Sequence, residues 1–263
     1  GYAILVLLLF LFAVPCYNMF VLASHETIVP DPPFVWFGDA VGHNLTELFN
    51  SLPFGRNFFT SVGIAVLATT GTVFFCTMGG FALAKYSFRG QNAFFALMLA
   101  TMAVPPFLNI IPFFKMMVAI GWYNTWLPLI VPGLANAFGI FLMRQYIGRA
   151  IPDDLLDAAR MDGMGEFSIL MRIVFPLARN GAAVLGTVTF IGSWNNFLGA
   201  LVMLPDPRKT TIPVALSSLF VQTQGNYGAM MMGNALAVLP VLLVYLLFSR
   251  RIIDNLAAGS VKG

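Results

Sequence analysis

The chain has 263 residues, of which 59% are apolar and only 10% are charged, and its mean hydropathy is +0.83. Soluble domains are about 45–50% apolar and about 25% charged, so this composition excludes an ordinary soluble protein and indicates an integral membrane protein. The net charge of +3 mostly reflects basic residues placed beside apolar segments, and we do not take it as a signal for nucleic-acid binding.

Six apolar runs are long enough to cross a membrane. A helix needs about 20 residues to cover about 30 Å of hydrocarbon. Runs of this length lie at about residues 3–23, 58–84, 93–118, 124–143, 177–203 and 229–249. The sequence therefore predicts an all-α, polytopic protein in which residues 1–263 form a single transmembrane domain with six spanning helices.

Basic residues are distributed unevenly between the predicted spans. If both termini lie in the cytoplasm, the inner segments hold ten Lys and Arg residues and the outer segments hold four. Because basic residues are retained on the cytoplasmic side, we predict this orientation in a bacterial inner membrane. The chain opens at Gly1 in apolar sequence without an initiator Met, so we expect a short cytoplasmic segment ahead of it, with a cleaved signal peptide as the alternative.

The predicted spans contain no Asp or Glu. A carrier driven by protons or sodium usually keeps an ionisable or unwound site at mid-membrane, where a charge is costly enough to be kept only for function. The chain also has no Gly-Lys-Ser/Thr phosphate loop. We therefore expect a non-catalytic chain driven by another molecule, with a proton-coupled carrier and a non-transporting membrane scaffold as the alternatives.

A charged segment at residues 151–175 lies between the fourth and fifth predicted spans. Pro152 suits the first position of a short helix, and Asp153 and Asp154 suit its positive N-terminal end. Gly163 stands where a left-handed residue would cap that helix. The sequence predicts a short charged helix at a membrane surface, placed to contact another molecule.

The spacing within this helix predicts a contact face. Leu155, Leu156 and Ala159 are expected on one side, and Ala158 and Ala159 keep the surface thin enough to enter a cleft. A second short helix, from Glu166 to about Arg172, should lead toward Pro176, where the fifth span begins.

Two regions further along are candidates for contact with solute or a partner. In the fifth span, Asn195 and Asn196 place amide groups beside the aromatic rings of Trp194 and Phe197, a combination suited to hydroxyl-rich ligands; interhelical hydrogen bonding is the alternative. The outer segment from about Leu204 to Tyr227 should pack back over the cavity or meet an extracytoplasmic protein, and a solvated loop is the alternative. Its candidate contact residues are Pro213, Leu216 and Phe220.

The charged segment resembles the cytoplasmic signature of ATP-binding-cassette importer permeases. That signature reads Glu-Ala-Ala, three residues, Gly, nine residues, then Ile-x-Leu-Pro. In this chain Asp157 takes the place of Glu, and Phe175 takes the place of Leu. The matching positions are Asp157, Ala158, Ala159, Gly163, Ile173 and Pro176.

The resemblance extends along nearly the whole chain to carbohydrate-importer permeases of the maltose-transporter MalG type. The sequence Trp194-Asn195-Asn196-Phe197 resembles that family's Trp-Asn-Asp-Phe and departs from it at Asn196. The other segments that fit are Asn57 to Ser61, Phe81 to Gly90, Ile151-Pro152, Thr211 to Leu216 and Ala258 to Gly263.

This resemblance implies a six-helix permease subunit that forms a heterodimer with a second, related permease. Two ATP-binding-cassette ATPase subunits would bind beneath it, and an extracytoplasmic solute-binding protein would deliver the ligand. ATP and Mg would be bound by the ATPases, with no cofactor or metal in this chain. The charged segment would be the coupling helix, and its ATPase-coupling residues would be Leu155, Leu156, Asp157, Ala158, Ala159, Asp162, Gly163, Ile173 and Pro176.

The solute is only loosely constrained by the sequence. The absence of acidic residues and of a basic cluster in the spans favours a neutral, hydroxyl-rich ligand such as a mono- or oligosaccharide. A polyol or a glycerophosphodiester is the alternative within the same importer class.

Overall fold

The computed structural model describes residues 2–26, 35–222 and 226–260, and within these ranges every regular secondary-structure element is helical. The predicted all-α class is therefore confirmed. Short 3₁₀ turns cover Pro106–Asn109 and Val131–Gly133, and a wide π turn covers Leu170–Val174. The α-helices are α1 (Tyr2–Leu22), α2 (Val41–Ser51), α3 (Phe54–Lys85), α4 (Gln91–Thr101), α5 (Ile110–Ala119), α6 (Leu127–Ile130), α7 (Ala137–Ala150), α8 (Asp153–Met161), α9 (Glu166–Ile169), α10 (Phe175–Leu177), α11 (Arg179–Trp194), α12 (Phe197–Met203), α13 (Ile212–Gln222) and α14 (Tyr227–Ser260).

Three segments of the described chain are long and apolar enough to cross a membrane: α3, the stretch Leu127–Ala150, and Tyr227–Phe248 within α14. The pair Glu166–Leu177 and Arg179–Trp194 makes a fourth candidate, bent by 80°. Leu8–Leu22 and Phe107–Ala119 are apolar but shorter. Six continuous spans are thus not confirmed.

Three of the predicted spans are interrupted, and in the fourth, residues 134–136 separate Val131–Gly133 from α7 although Leu127–Ala150 as a whole is long enough to cross a membrane. In the third, α4 ends at Thr101 and α5 begins only at Ile110. Pro105 and Pro106 lie in this gap, where proline removes a backbone donor and keeps the preceding residue out of the α conformation. The fifth is interrupted between Trp194 and Phe197, so a long apolar run in this sequence does not guarantee one straight helix.

The chain divides into two compact units, residues 1–61 with 204–243, and residues 62–203 with 244–263. In the first unit α2 packs against α13, and both contribute to one buried apolar cluster. Gly233 of α14 lies against this cluster, because an added Cβ would stand 2.4 Å from Leu216 and 3.2 Å from Leu48.

The second unit contains α3, α7 and α11 in close contact. A Cβ added to Gly80 of α3 would lie 2.6 Å from the Met143 Cβ and 2.7 Å from the Arg144 backbone nitrogen. A Cβ added to Gly181 of α11 would lie 2.7 Å from the Tyr146 ring. Small residues let helices in a membrane approach closely and gain the dispersion contacts that hold them together. The buried residues of this core are Cys76, Phe81, Met143, Ile147, Ile151, Leu156, Ala159, Ile169, Leu170, Val174, Ala178 and Leu185.

Candidate functional site

Helix α8, the predicted coupling helix, buries one side in the core of its own chain. Leu156 is 1% exposed and Ala159 is 6% exposed, whereas Leu155 is 42% exposed and Ala158 is also exposed. The prediction that Leu155, Leu156 and Ala159 share one contact side is wrong. Consecutive helical residues point about 100° apart, so burying the Leu156 and Ala159 pair turns Leu155 and Ala158 outward.

The predicted left-handed cap at Gly163 is confirmed. Helix α8 ends at Met161, and Gly163 has a φ of 82°. The Gly163 N–H donates to the Arg160 carbonyl and the Met164 N–H donates to the Ala159 carbonyl, both at 3.0 Å, which is the bond pair of a Schellman motif. An added Cβ would meet nothing within 4 Å, so backbone conformation is what favours glycine here.

A buried lysine anchors the start of α8 to the end of α3. Pro152 is extended and precedes the helix, one position earlier than predicted. The Lys85 Nζ donates to the Asp153 carboxylate at 2.7 Å and to the Ile151 carbonyl at 2.5 Å, and its side chain is only 5% exposed. Because a buried ammonium group is stable only when it is paired, these bonds fix the first turn of α8 against α3.

Arg160 makes a second attachment at the other end of α8. It donates to Asp157 from Nη1 and to Glu166 from Nε, each at 2.8 Å. The Tyr86 hydroxyl, just beyond α3, donates to the other Glu166 oxygen. Bonds to Glu166, Tyr86 and Asp157 raise the pKa of Arg160 further above its ordinary value, so the guanidinium stays charged. Asp157, at the position of the family's Glu, is thus paired within its own chain.

The exit from α8 toward α11 contains a wide turn and a sharp bend. The predicted helix from Glu166 to about Arg172 extends to Leu177 and includes the π turn, where Ile173 packs half-buried against the core. Pro176 is exposed and donates no backbone hydrogen bond, which suits the irregular turn before it. The chain then bends by 80° before α11, which begins at Arg179.

The exposed residues of this segment are partly apolar and partly charged. We call its exposed apolar residues the docking ridge, which consists of Leu155 (42% exposed), Ala158, Met161 (88%), Phe167 (66%) and Met171 (43%). Asp154, Asp157 and Asp162 are exposed in the same segment. Exposed apolar residues accompanied by charge are typical of interaction sites, and methionine adapts readily to a partner's shape.

The polar pair of the fifth span lies in a helix break. Trp194 is 3% exposed and stacks on Phe190, with ring centroids 6.0 Å apart. The Asn196 Oδ1 accepts a hydrogen bond from the Gly199 N–H at 3.0 Å and so caps α12. Asn195 is exposed, and Phe197 is 39% exposed. Asn196 therefore caps the start of α12, and contact between solute and this break stays a prediction.

The outer segment is packed rather than loose. Leu216 of α13 is 6% exposed and belongs to the core of the first unit. It is therefore packed inside its own unit and is not a surface contact for a binding protein, while the expectation that this segment covers a cavity stays a prediction. Pro213, in the first turn of α13, is half-buried. The side chain of Phe220 lies outside the described residues.

Sequence reasoning missed the role of Asn57, which is fully buried in the first unit. Its Nδ2 donates to the carbonyls of Pro207 and Thr210, each at 2.9 Å. One turn later, the Ser61 hydroxyl accepts the Ile212 N–H at 2.8 Å. Two segments that resemble the importer family, Asn57 to Ser61 and Thr211 to Leu216, are thus joined directly. Polar residues in the first turns of an apolar span were the available signal.

Comparison of the sequence with known proteins matches this chain to one family. The family described as "Binding-protein-dependent transport system inner membrane component" matches residues 76–256. The arabinooligosaccharides transport system permease protein AraQ of Bacillus subtilis (strain 168) is 38% identical over 84% of this chain and 78% of that protein. The lactose transport system permease protein LacG of Rhizobium radiobacter is 32% identical over 99% of this chain and 95% of that protein.

A solved structure has the same fold. A chain of a bacterial ABC transporter involved in the import of the acidic polysaccharide alginate superposes with a TM-score of 0.78 at 23% identity, covering 94% of this chain and 95% of that chain. The permease fold expected from the charged segment is confirmed by this match. This chain belongs to the family of binding-protein-dependent transport system inner membrane components, and it is a permease of the ATP-binding-cassette importer class.

Proposed function

We propose that this chain is one of two membrane-spanning subunits of an ATP-driven importer for a sugar or sugar-like solute, which it moves by alternating access. The observation that carries the proposal is the two-sided construction of α8. One side, with Leu156 and Ala159, is fixed in the core of the second unit, and the other presents the docking ridge. A helix built in this way can receive a push from a partner and pass it to its own chain.

The route of that push follows the contacts of α8. Lys85 and the group of Arg160, Glu166 and Tyr86 tie α8 to the end of α3. Ile173 and Val174 then lead through the same core to the bend before α11. Coupling needs a rigid element that both sites can bias between two positions, and the buried anchors and ion pairs supply the rigidity.

The partners follow from the family. A second, homologous permease subunit would complete the translocation path as a heterodimer, and two ATPase subunits would bind the docking ridges. The ATPases would hold ATP and Mg, and this chain would hold no cofactor or metal. An extracytoplasmic solute-binding protein, which the family description names, would deliver the solute.

The orientation follows from the docking ridge. If ATPases dock there, residues 151–177 face the cytoplasm, where ATP is available. The excess of Lys and Arg in the same set of segments supports this placement. Both termini would then lie on the cytoplasmic side of the inner membrane.

The solute assignment is supported by relatives and by the spans. The proteins named for arabinooligosaccharide and lactose transport are 38% and 32% identical to this chain. The predicted spans contain no carboxylate. The exposed Asn195 amide and the exposed Phe197 ring at the break suit hydroxyl groups and the apolar face of a sugar ring. A polyol or glycerophosphodiester is the second candidate.

Purification of the tagged chain from its native host in a mild detergent tests the class of the protein. We expect a second permease and an ATPase to co-purify, with two ATPase chains for each pair of permeases. A homodimer or monomer without ATPase would instead support a self-contained carrier.

Transport by the purified assembly in proteoliposomes tests the energy source and the solute. With the binding protein outside and ATP inside, we expect uptake of an oligosaccharide that a proton uncoupler does not reduce. Uptake that an uncoupler abolishes would contradict the ATP-driven mechanism. Preference for a glycerophosphodiester over sugars would contradict the solute assignment alone.

A further inference from the structure

An open cavity of about 190 Å³ lies between the final turns of α3 and α7. Its walls are Leu83 and Ala84 from α3, and Arg144, Gln145, Gly148 and Arg149 from α7. It therefore combines two guanidinium groups, one amide and a short apolar wall. Gly148 has no side chain, and a Cβ added there would meet nothing within 4 Å. The cavity is therefore open on its α7 side.

The Arg144 side chain is held in place. Its Nε donates to the Leu83 carbonyl at 3.1 Å, and its guanidinium lies 3.9 Å from the centroid of the Phe95 ring on α4. Phe95 in turn stacks on Phe141 of α7. A guanidinium fixed in this way loses little conformational freedom when an anion binds to it.

The positive charge of this cavity is not neutralised within the described part of the chain. No carboxylate in residues 8–26, 35–219 or 226–248, whose side chains the structure describes, forms an ion pair with Arg144 or Arg149. Three acidic residues that follow α7 in sequence form ion pairs elsewhere: Asp153 pairs with Lys85, and Asp157 and Glu166 pair with Arg160. Among the side chains that the structure describes, neither guanidinium group of this cavity therefore has a counter-charge.

The position of the cavity favours a lipid as the source of that charge. It lies at the ends of α3 and Leu127–Ala150, two of the segments long enough to cross the membrane, and hence at the depth of the lipid headgroups. On α4, which packs against α7, Phe94 and Leu97 are 55% and 69% exposed and can lie along acyl chains. Basic pockets between spanning helices are recognised binding sites for anionic headgroups.

We propose that this cavity binds the phosphate of an anionic phospholipid, with Arg144 and Arg149 as its donors and Gln145 at its rim. Arginine suits this ligand because its planar guanidinium can donate two parallel hydrogen bonds to one phosphate. The proposal requires only that α3 and α7 span the membrane, so it is independent of the solute and of the ATPase.

The test is native mass spectrometry of the assembly as purified, delipidated and then titrated with dioleoyl-phosphatidylglycerol or dioleoyl-phosphatidylcholine. We expect the assembly to retain phosphatidylglycerol more tightly than phosphatidylcholine. Arg149→Gln should weaken the binding of phosphatidylglycerol roughly fivefold, which is about the contribution of one basic residue at an anionic membrane surface. Arg149 is exposed, so this variant should assemble normally. Arg149→Lys should restore part of the preference, because lysine keeps the positive charge but lacks the planar guanidinium.

Arg89→Gln is the matched control, because Arg89 is an exposed basic residue in the turn between α3 and α4 that does not line the cavity. We expect it to retain phosphatidylglycerol as the unmodified chain does. Equal retention of the two lipids, or equal loss in Arg89→Gln and Arg149→Gln, would overturn the proposal. Displacement by inorganic phosphate at the lipid's own concentration would identify a soluble anion instead, and loss of the second permease in Arg149→Gln would identify a protein contact.

Discussion

Two breaks between helices carry polar side chains, and they use them differently. At residues 151–166, Lys85 at the end of α3 and Tyr86 just beyond it bond to Asp153 and Glu166, so polar groups connect elements far apart in sequence. At the second break, the Asn195 N–H donates to the Ile191 carbonyl and Asn196 caps the helix that follows it, so both of these bonds are local. The first break joins helices, whereas the second ends one helix and starts the next.

The difference shows which break is suited to transmit force. A cap satisfies a helix end and adds no rigidity between helices. The first break adds a buried apolar side, through Leu156 and Ala159, to its ion pairs and leaves an apolar ridge exposed on the other side. We therefore expect changes at the first break to separate into effects on folding and effects on coupling.

The largest effect is expected for Leu156→Asp. This residue is 1% exposed, and an unpaired carboxylate in an apolar core costs about 3 to 5 kcal/mol. We expect loss of the folded chain, measured by size-exclusion chromatography and thermal melting in detergent. Leu156→Met is the control, because a volume-conserving change costs less than about 1.5 kcal/mol. Normal folding of Leu156→Asp would show that α8 is not anchored as described.

The neighbouring change, Leu155→Asp, should leave folding intact and abolish ATPase retention. Its side chain lies on the docking ridge, and an unpaired charge buried at a docking contact costs about 2 to 5 kcal/mol. Met161→Asp should do the same. Co-purification of the ATPase with each variant is the measurement, and Asp154→Asn, an exposed charge change on the same helix, is the control. ATPase retained by both ridge variants would rule out the ridge as the docking surface.

A smaller effect is expected for Gly163→Ala. At a φ of 82° a residue with a Cβ costs about 1 to 2 kcal/mol, so the turn after α8 should loosen. We expect a lower melting temperature and fewer solute molecules moved per ATP hydrolysed. Gly165→Ala is the matched control, since Gly165 has a φ of −71° and open space around it. Equal effects of the two changes would mean that the left-handed conformation of Gly163 is unimportant.

The smallest effect is expected at the second break. Asn196→Ala removes a helix cap and should cost about 1 kcal/mol, while Asn196→Asp keeps an acceptor and should be nearly neutral. Asn195→Ala should leave the melting temperature unchanged. If its transport KM for an oligosaccharide rises, the exposed Asn195 amide contacts solute; if KM is unchanged, that role is excluded.

Much of α8 could be predicted from the sequence because its signals are local. The acidic first turn, Arg160 in the last turn and Gly163 beyond it set the helix and its cap, and the structure confirms them. Which side of α8 faces the core could not be predicted, because Leu155 and Leu156 are adjacent and equally apolar. Their sorting depends on α3, whose Lys85 lies 68 residues from Asp153 in sequence.

The breaks in the spans were harder to predict for a similar reason. Pro105 and Pro106 were visible signals, yet hydropathy counts apolar residues and ignores whether the backbone can continue as a helix. The hydrogen bonds from Asn57 to the carbonyls of Pro207 and Thr210 join residues about 150 positions apart, and no local pattern encodes that pairing. The burial of Leu216 was equally hard to predict, because it depends on packing against α2, which is distant in sequence.

The exposure of Met161, at 88%, has a consequence for how the cell makes this protein. A subunit that meets no ATPase presents bare thioethers and rings to the aqueous phase, where they attract chaperones, proteases and oxidants. Synthesis of this chain in excess of its partners should therefore shorten its lifetime, and balanced co-expression becomes a condition for obtaining it intact.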